Sequence, residues 1–253
     1  MRITLLTDFG TADGYVAAMK GAIAEISPST LIDDASHAIP PGDIVGAALA
    51  LKRYWKLYPE GTVHVVVVDP GVGSERRALA INADGRCLVG PDNGVFTFVL
   101  KTARDAKVIE IDAELVTKPS SRTFHGRDIF APAAAQLAAG VSVDRLGRVV
   151  TDPVAIPMPP PIATEASVRG EVVQIDRFGN LVSNIGAELL RPGYVARVAE
   201  REMPVVATYA DAAVGELIAL INSDNLVEIA VRDGSAAIVL DAQRGAAVEL
   251  WKR

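Results

Sequence analysis

The stretch VVVVDPGVGSERR, residues 65–77, constrains the fold more than any other part of the chain. Four consecutive valines are β-branched and wholly apolar, which predicts a strand buried on both faces, as in a parallel sheet covered by helices. Asp69, Pro70, Gly71 and Gly73 then turn the chain sharply at the strand's carboxyl end, the edge where open α/β sheets hold their ligands. A carboxylate fixed there, with Arg76 and Arg77 close behind, reads either as a salt-bridged turn or as part of an active site.

Residues 1–152 alternate strand and helix signals around this strand. A short strand, Arg2–Leu6, precedes a helix running from about Asp13, whose side chain is suited to cap it, to Ile26. Leu31–Asp33 is a second short strand. From Asp43, the positions Ile44, Ala47, Ala48, Leu51, Tyr54, Trp55 and Tyr58 keep the spacing of an amphipathic helix. Ala78–Ala83 and Cys87–Gly90 form a hairpin-like pair about Asp84-Gly85, PDNG at 91–94 opens a short helix, and Ile129–Ala139 is helical. This alternation predicts an N-terminal α/β domain with a largely parallel sheet. Five prolines in residues 153–163, PVAIPMPPPIA, make an extended linker. In residues 164–253 the texture changes to short strands, Ser167–Ile175, Tyr194–Val198, Leu217–Ile221, Val227–Val231, Ala237–Leu240 and Ala247–Leu250, with helical pieces near Gly186–Leu190 and Asp211–Gly215. Such spacing predicts a small antiparallel β-barrel-like or sandwich domain.

Composition removes several function classes. The net charge of −6 argues against a nucleic-acid binder, which needs a basic stripe. No apolar run reaches the ~18–20 residues of a membrane span, and the N-terminus MRITLLTDFG lacks a signal peptide's apolar stretch. The expectation is a soluble, cytoplasmic protein without a membrane partner. The one cysteine, Cys87, lies in an apparent strand and reads as an inert buried thiol. His37, His64 and His125 are scattered, without the spacing of a metal site, so no metal is expected.

Four polar stretches exceed what folding requires. In TDFGTADGY, residues 7–15, Asp8 follows a buried strand and can accept two hydrogen bonds from a ribose diol, while Asp13 is a helix cap or a ligand contact. Neither a P-loop nor GxGxxG is present. The second stretch is the turn bearing Asp69 and Arg76. In RTFHGRDIFAP, residues 122–132, Gly126 lets the backbone approach a partner beside His125. In DRFGNLVSNI (176–185) and INSDNLVEIAV (221–231), Asn, Ser and acids sit beside strand ends, as turns or as groups for a purine. None of these decides a function alone.

Taken in order, TDFG…DGY, VDPGVGS…R, TFHGRDIFAP, D-x-FGN-L-V-x-NI and INS…EIAV span nearly the whole chain, and the set resembles the S-adenosyl-L-methionine hydroxide adenosyltransferase family, relatives of fluorinase and chlorinase. The resemblance implies a homotrimer whose sites lie between the N-terminal domain of one subunit and the C-terminal domain of its neighbour. It implies catalytic roles for Asp69, Arg76 and His125, and substrate contacts at Asp8, Phe9, Asp13 and Phe124. Purine- and methionine-facing positions fall at Asp176, Phe178, Asn180, Ser223, Glu228 and Val231. S-adenosyl-L-methionine is then substrate, no cofactor is implied, and the (R)-sulfonium epimer is the suggested preference. The halogenases it resembles carry an aromatic residue where Asp69 stands; fluorinase has a serine at Gly126 and a long insertion where this chain turns at 83–86. Asp224-Asn225 depart from the family's usual aromatic or small residue after the INS serine.

The implied reaction is hydrolysis to adenosine and L-methionine. Methionine leaves as a neutral thioether, so the difficulty lies in aligning a water behind C5′ and accepting its proton; a dry pocket favours the charge-cancelling attack. Asp69 and His125 are expected to hold that water while Arg76 orients the carboxylate, which makes His125 the better proton acceptor. The rivals are a halide-using 5′-halo-5′-deoxyadenosine synthase, a non-catalytic adenosine-binding module, and an oligonucleotide-binding barrel, the last disfavoured by the acid excess.

Overall fold

The valine run lies inside a seven-stranded sheet of the N-terminal unit. Its strands are β1 (Arg2–Thr7), β2 (Leu31–Ser36), β3 (Val63–Val67), β4 (Ala78–Ala83), β5 (Arg86–Pro91), β6 (Ala106–Ile111) and β7 (Gly147–Val149), in the order β2-β1-β3-β5-β4-β6-β7. Pairings from β2 through β5 are parallel; β4, β6 and β7 extend the sheet antiparallel. Every residue of β3 is buried, and the period-2 geometry of a strand separates its side chains. Val65 and Val67 pack with Val16, Met19 and Ile23 of α1 (Tyr15–Ile26) and with the alanines of α5 (Ala131–Ala138). Val66 and Val68 pack on the opposite face with Ala47, Ala48 and Leu51 of α2 (Ile44–Tyr54), together with Trp55 and Val99. Two shorter helices, α3 (Thr97–Thr102) and α4 (Ala113–Val116), complete the unit. This computed structural model describes residues 1–117 and 120–252 and divides into units Met1–Ile156 and Pro157–Arg253.

Several local readings need correction. Asp13 does not cap α1: the helix starts at Tyr15 after Gly14, whose φ of 76° only glycine adopts easily, and no side chain caps it. By contrast Asp43 does cap α2, accepting from Gly46 N. That helix stops at Tyr54, so Tyr58 continues the periodicity outside it. Strands β6 and β7 carry little sequence signal, because β6 opens exposed, with polar Lys107 in it, and β7 has three residues. The start of the proline-rich stretch is tied down: Val154 N donates to Asp92 Oδ1 at 2.8 Å, and Ile156 N to Thr97 Oγ1 at 2.8 Å.

The C-terminal unit is built from β8 (Ile162–Ala163), β9 (Ser167–Ile175), β10 (Leu181–Gly186), β11 (Tyr194–Val198), β12 (Arg201–Pro204), β13 (Leu217–Ile221), β14 (Leu226–Val231) and β15 (Ala247–Lys252). Their order is β12-β11-β15-β9-β10-β14-β13, with β8 on β9, and each ladder is antiparallel. Val206 N donates to Ala219 O at 2.9 Å beside a Val205–Ala219 bridge, so the strip curls towards closure as a barrel. The expected strand Ala237–Leu240 is instead helix α6 (Ala236–Leu240). Ser235 caps it, accepting from Ile238 N, and Asp241 in the left-handed region ends it. Ala236 and Leu240, four residues apart, face the core while Ile238 is 82% exposed, a helical and not an alternating pattern. The helical piece expected at Asp211–Gly215 lies earlier, as a 3-10 turn over Tyr209–Asp211 capped by Thr208. Among the described residues no helix is long and apolar enough to cross a membrane.

One buried group in β3 makes the fold sensitive to acid. His64 is fully buried, with Nδ1 2.9 Å from Thr4 Oγ1 and its ring against Tyr54 and Tyr58. Burial lowers its pKa from 6.5 to about 4. A depressed histidine pKa means the unfolded chain binds the proton first, so this contribution is full above pH 6.5 and is lost as pH falls towards 4, about 3 kcal/mol in all. Denaturant titrations of the wild type and of His64→Phe should show the difference in stability moving in the variant's favour by about that amount between pH 7 and pH 4. A constant difference would mean that the imidazole titrates normally.

Candidate active site

At the carboxyl end of β3 the chain reverses within a few residues. Val72 N donates to Asp69 O, and Ser74 donates through both N and Oγ to Gly71 O. Gly73 has φ 80°, and a Cβ there would stand 3.0 Å from Arg122 O, so glycine is required both for the turn and for the approach of residue 122. The reversal folds Arg76 back on Asp69. Arg76 Nε lies 3.0 Å from each carboxylate oxygen, and Nη2 also bonds Oδ2. The pair is largely shielded from solvent, at 5% exposure for Asp69 and 10% for Arg76. The guanidinium lies 5.2 Å over the ring of Phe130.

From the other side comes a wide π-helical turn, Gly126–Phe130, in which Ala131 N donates to Gly126 O. Such turns splay side chains that a regular helix would stack. His125 precedes it, with Nδ1 2.8 Å from Arg76 Nη2. A guanidinium only donates, so Nδ1 is the acceptor and the neutral ring carries its hydrogen on Nε2. Burial holds the His125 pKa below its ordinary value, aided by the Arg76 charge and opposed by Asp69 and Asp128. The three residues expected to act together are therefore one hydrogen-bonded group.

Asp69 and His125 line a cavity of about 310 Å³ with Phe9, Tyr15, Phe124 and Gly126. The three aromatic rings pack on one another, with centroids 5.9 Å (Phe9–Tyr15), 5.9 Å (Phe9–Phe124) and 5.2 Å (Tyr15–Phe124) apart. A Cβ on Gly126 would press on Phe9 and Phe124 at 3.2–3.3 Å, so the missing side chain lets this wall close. Arg127 stacks 5.0 Å from Phe124 and is held by Asp128. Tyr15, the first residue of α1, joins the wall without a sequence signal of its own, because residues 13–15 read as a helix start. Asp8 lies outside the wall, with Oδ2 accepting from Gly42 N at 2.8 Å, and Asp13 is exposed.

The C-terminal unit has a cavity of its own, about 560 Å³, lined by Phe178, Asn180, Tyr209, Val231 and Arg232 among others. Asp176 builds its rim: Oδ1 accepts from Phe178 N and Asn180 N, both at 2.9 Å, and Oδ2 from Asn180 Nδ2 at 3.1 Å. Gly179, at φ 83°, packs so tightly that a Cβ would meet Ser235 Oγ at 2.0 Å. Phe178 is thereby left 75% exposed. Glu228 is buried behind the wall, accepting from Tyr209 Oη at 2.5 Å and from Asn222 Nδ2 at 3.2 Å. Burial and this carboxylate raise the Tyr209 pKa well above its usual value. Ser223 is exposed in the turn before β14, outside the wall. Tyr209 carried no sequence signal, because it lies in an irregular segment between strands.

Two family models cover most of the chain: the SAM hydroxide adenosyltransferase N-terminal domain matches residues 3–147 and the C-terminal domain residues 170–249. The chain belongs to the SAM hydroxide adenosyltransferase family. Among individual proteins it is 41% identical to the (R)-S-adenosyl-L-methionine hydrolase of Thermus thermophilus, over 98% of each chain. It is 26% identical to a fluorinase from Actinopolyspora mzabensis, over 99% of this chain and 97% of that one. The crystal structure of an uncharacterised conserved protein from Thermotoga maritima superposes with a TM-score of 0.91 at 35% identity, covering 99% of this chain and 100% of the other.

Proposed function

We propose that this protein hydrolyses S-adenosyl-L-methionine, with preference for the (R)-sulfonium epimer, to adenosine and L-methionine. The observation that carries the reading is the Asp69–Arg76–His125 group beside an aromatic-lined cavity. The relatives named (R)-S-adenosyl-L-methionine hydrolase are closer in sequence than the fluorinases, which favours water over halide as the nucleophile.

The step balances with water alone. The water oxygen bonds C5′, the C5′–S bond breaks with its electron pair passing to sulfur, and one proton leaves. Hydrogen-bond arithmetic favours Asp69 as its acceptor. Arg76 occupies the one lone pair of His125, so the neutral imidazole has nothing left to receive a proton and instead offers Nε2–H. Asp69 Oδ2 accepts from both Nε and Nη2 of Arg76, whereas Oδ1 accepts from Nε alone and keeps a lone pair. A water that donates to Asp69 and accepts from His125 has one lone pair left for C5′. This reverses the preference for His125 as base drawn from the sequence. Asp8 and the aromatic wall hold the ribose and the sulfonium end of the substrate; Phe178, Asn180 and Tyr209, contributed by the C-terminal unit of a neighbouring subunit in a homotrimer, take the purine and methionine ends. The exposure of Phe178 supports an edge that another chain covers.

Incubation of the protein with each sulfonium epimer in H₂¹⁸O, followed by chromatography and mass spectrometry, tests the reading. Adenosine carrying the label at its 5′ oxygen, formed faster from the (R) epimer, is the expected result. Unlabelled adenosine, or no methionine released from either epimer, would overturn it.

A further inference from the structure

Besides His64, the mechanism leaves a second buried histidine unused. His37 follows β2 and is 8% exposed. Its Nδ1 lies 2.8 Å from Thr7 Oγ1, at the end of β1. Its Nε2 stands 3.0 Å from Asp34 Oδ1, close but bent from a straight hydrogen bond, and Lys20 Nζ donates to the other oxygen of Asp34 at 2.7 Å. A carboxylate only accepts, so the ring nitrogen facing it carries the hydrogen and Nδ1 of the neutral ring is an acceptor. The Thr7 hydroxyl must then donate to Nδ1, which leaves its lone pairs for Phe9 N, 3.2 Å away. In the neutral ring the hydrogen bonds therefore run in one direction, with Phe9 N donating to Thr7 Oγ1 and Thr7 Oγ1 donating to His37 Nδ1.

This chain is one of three ties between the tail of β2 and the tail of β1. Gly10 N donates to His37 O at 2.9 Å, and Gly42 N donates to Asp8 Oδ2 at 2.8 Å. Asp8 and Phe9 lie between these ties, so residues 37–42 clamp the segment carrying both. The Gly42 contact takes one acceptor position of Asp8 and leaves Oδ1 for a ligand.

The geometry points to His37 as a positioning residue: through the Thr7 hydroxyl it sets the backbone of Phe9, and thereby holds Asp8 where a cis-diol can donate to it. This deepens the proposed function and rests on the reading of Asp8 as the ribose contact. The alternative is a histidine that only stabilises the sheet edge, and two substitutions separate them. Asparagine places an acceptor near the Nδ1 position and gives up the Asp34 contact. Glutamine reaches Asp34 and gives up Thr7.

The test is calorimetric titration of the intact protein with adenosine and with 2′-deoxyadenosine, which needs no turnover, alongside thermal melting of each variant. The wild type should bind adenosine more tightly by about tenfold or more, as expected for hydrogen bonding to a charged group. His37→Asn should keep that ratio, whereas His37→Gln and Thr7→Val should reduce it to within about twofold, at melting temperatures that do not order the variants the same way. A ratio kept in all variants, or lost in Asn and Gln alike in step with melting temperature, would overturn the positioning role while leaving Asp8 as the ribose contact. A wild type that binds both nucleosides equally would overturn the Asp8 reading itself, and the role of His37 with it.

Discussion

Asp69→Ala should lower kcat for S-adenosylmethionine hydrolysis by about three orders of magnitude, within the range for losing a positioned general base. Substrate affinity should stay within about threefold, because on the proposed mechanism the carboxylate touches the attacking water and not the nucleoside. The substitution also leaves Arg76, whose Nε and Nη2 both bond the carboxylate, without its anionic partner. His125→Gln separates the roles of the two groups. The glutamine amide offers an N–H near the place of Nε2, so a histidine that only donates should be replaced at a loss of about tenfold in kcat, well short of the general-base range. Were His125 the proton acceptor, the order would invert, with glutamine as damaging as Asp69→Ala. Single-turnover measurements with binding constants for both variants decide between these outcomes, and equal losses in affinity and turnover would assign Asp69 to binding instead.

Phe130→Ala should destabilise the N-terminal unit by about 3–5 kcal/mol, the usual cost of emptying a fully buried phenylalanine site. The ring is completely inaccessible and packs in the same cluster as Val65 and Val67 of β3 and the alanines of α5. Small alanine neighbours cannot extend into the space left, which places the cost towards the upper end. For a unit of this size the apparent melting temperature should fall by roughly 10 °C or more. The same ring backs the guanidinium of Arg76. Phe130→Leu, which refills much of the volume, should therefore recover most of the stability but less of the kcat, because it supplies no π face for the cation. Full recovery of both in the leucine variant would show that Phe130 contributes packing alone.

Much of the scaffold was legible in the chain. The valine run identified a strand buried on both faces, and the structure shows its alternate side chains entering different cores. Strands β9, β11 and β13 fall where alternation and turn residues put them. Misreadings occurred where local pattern was short or ambiguous. Ala236–Leu240 has the apolar content of a strand, and only the Ser235 cap and the burial of residues four apart reveal a helix. Strand β10 lies inside DRFGNLVSNI, where polar residues drew attention to the turn and away from the strand that follows.

The candidate site divides along the same line. Residue types and their order were sufficient to name the family, because Asp69, Arg76 and His125 each stand in a recognisable stretch and fall within one matched region, residues 3–147. What the sequence determined by itself was therefore a two-part chain with a rigid acidic turn after a buried strand. Tertiary structure alone decided which nitrogen of His125 faces Arg76, that Tyr15 joins the aromatic wall, and that Tyr209 meets Glu228. The reason is physical. A strand's burial follows from local periodicity, whereas a hydrogen bond's direction depends on donors and acceptors brought together across 49 residues between Arg76 and His125.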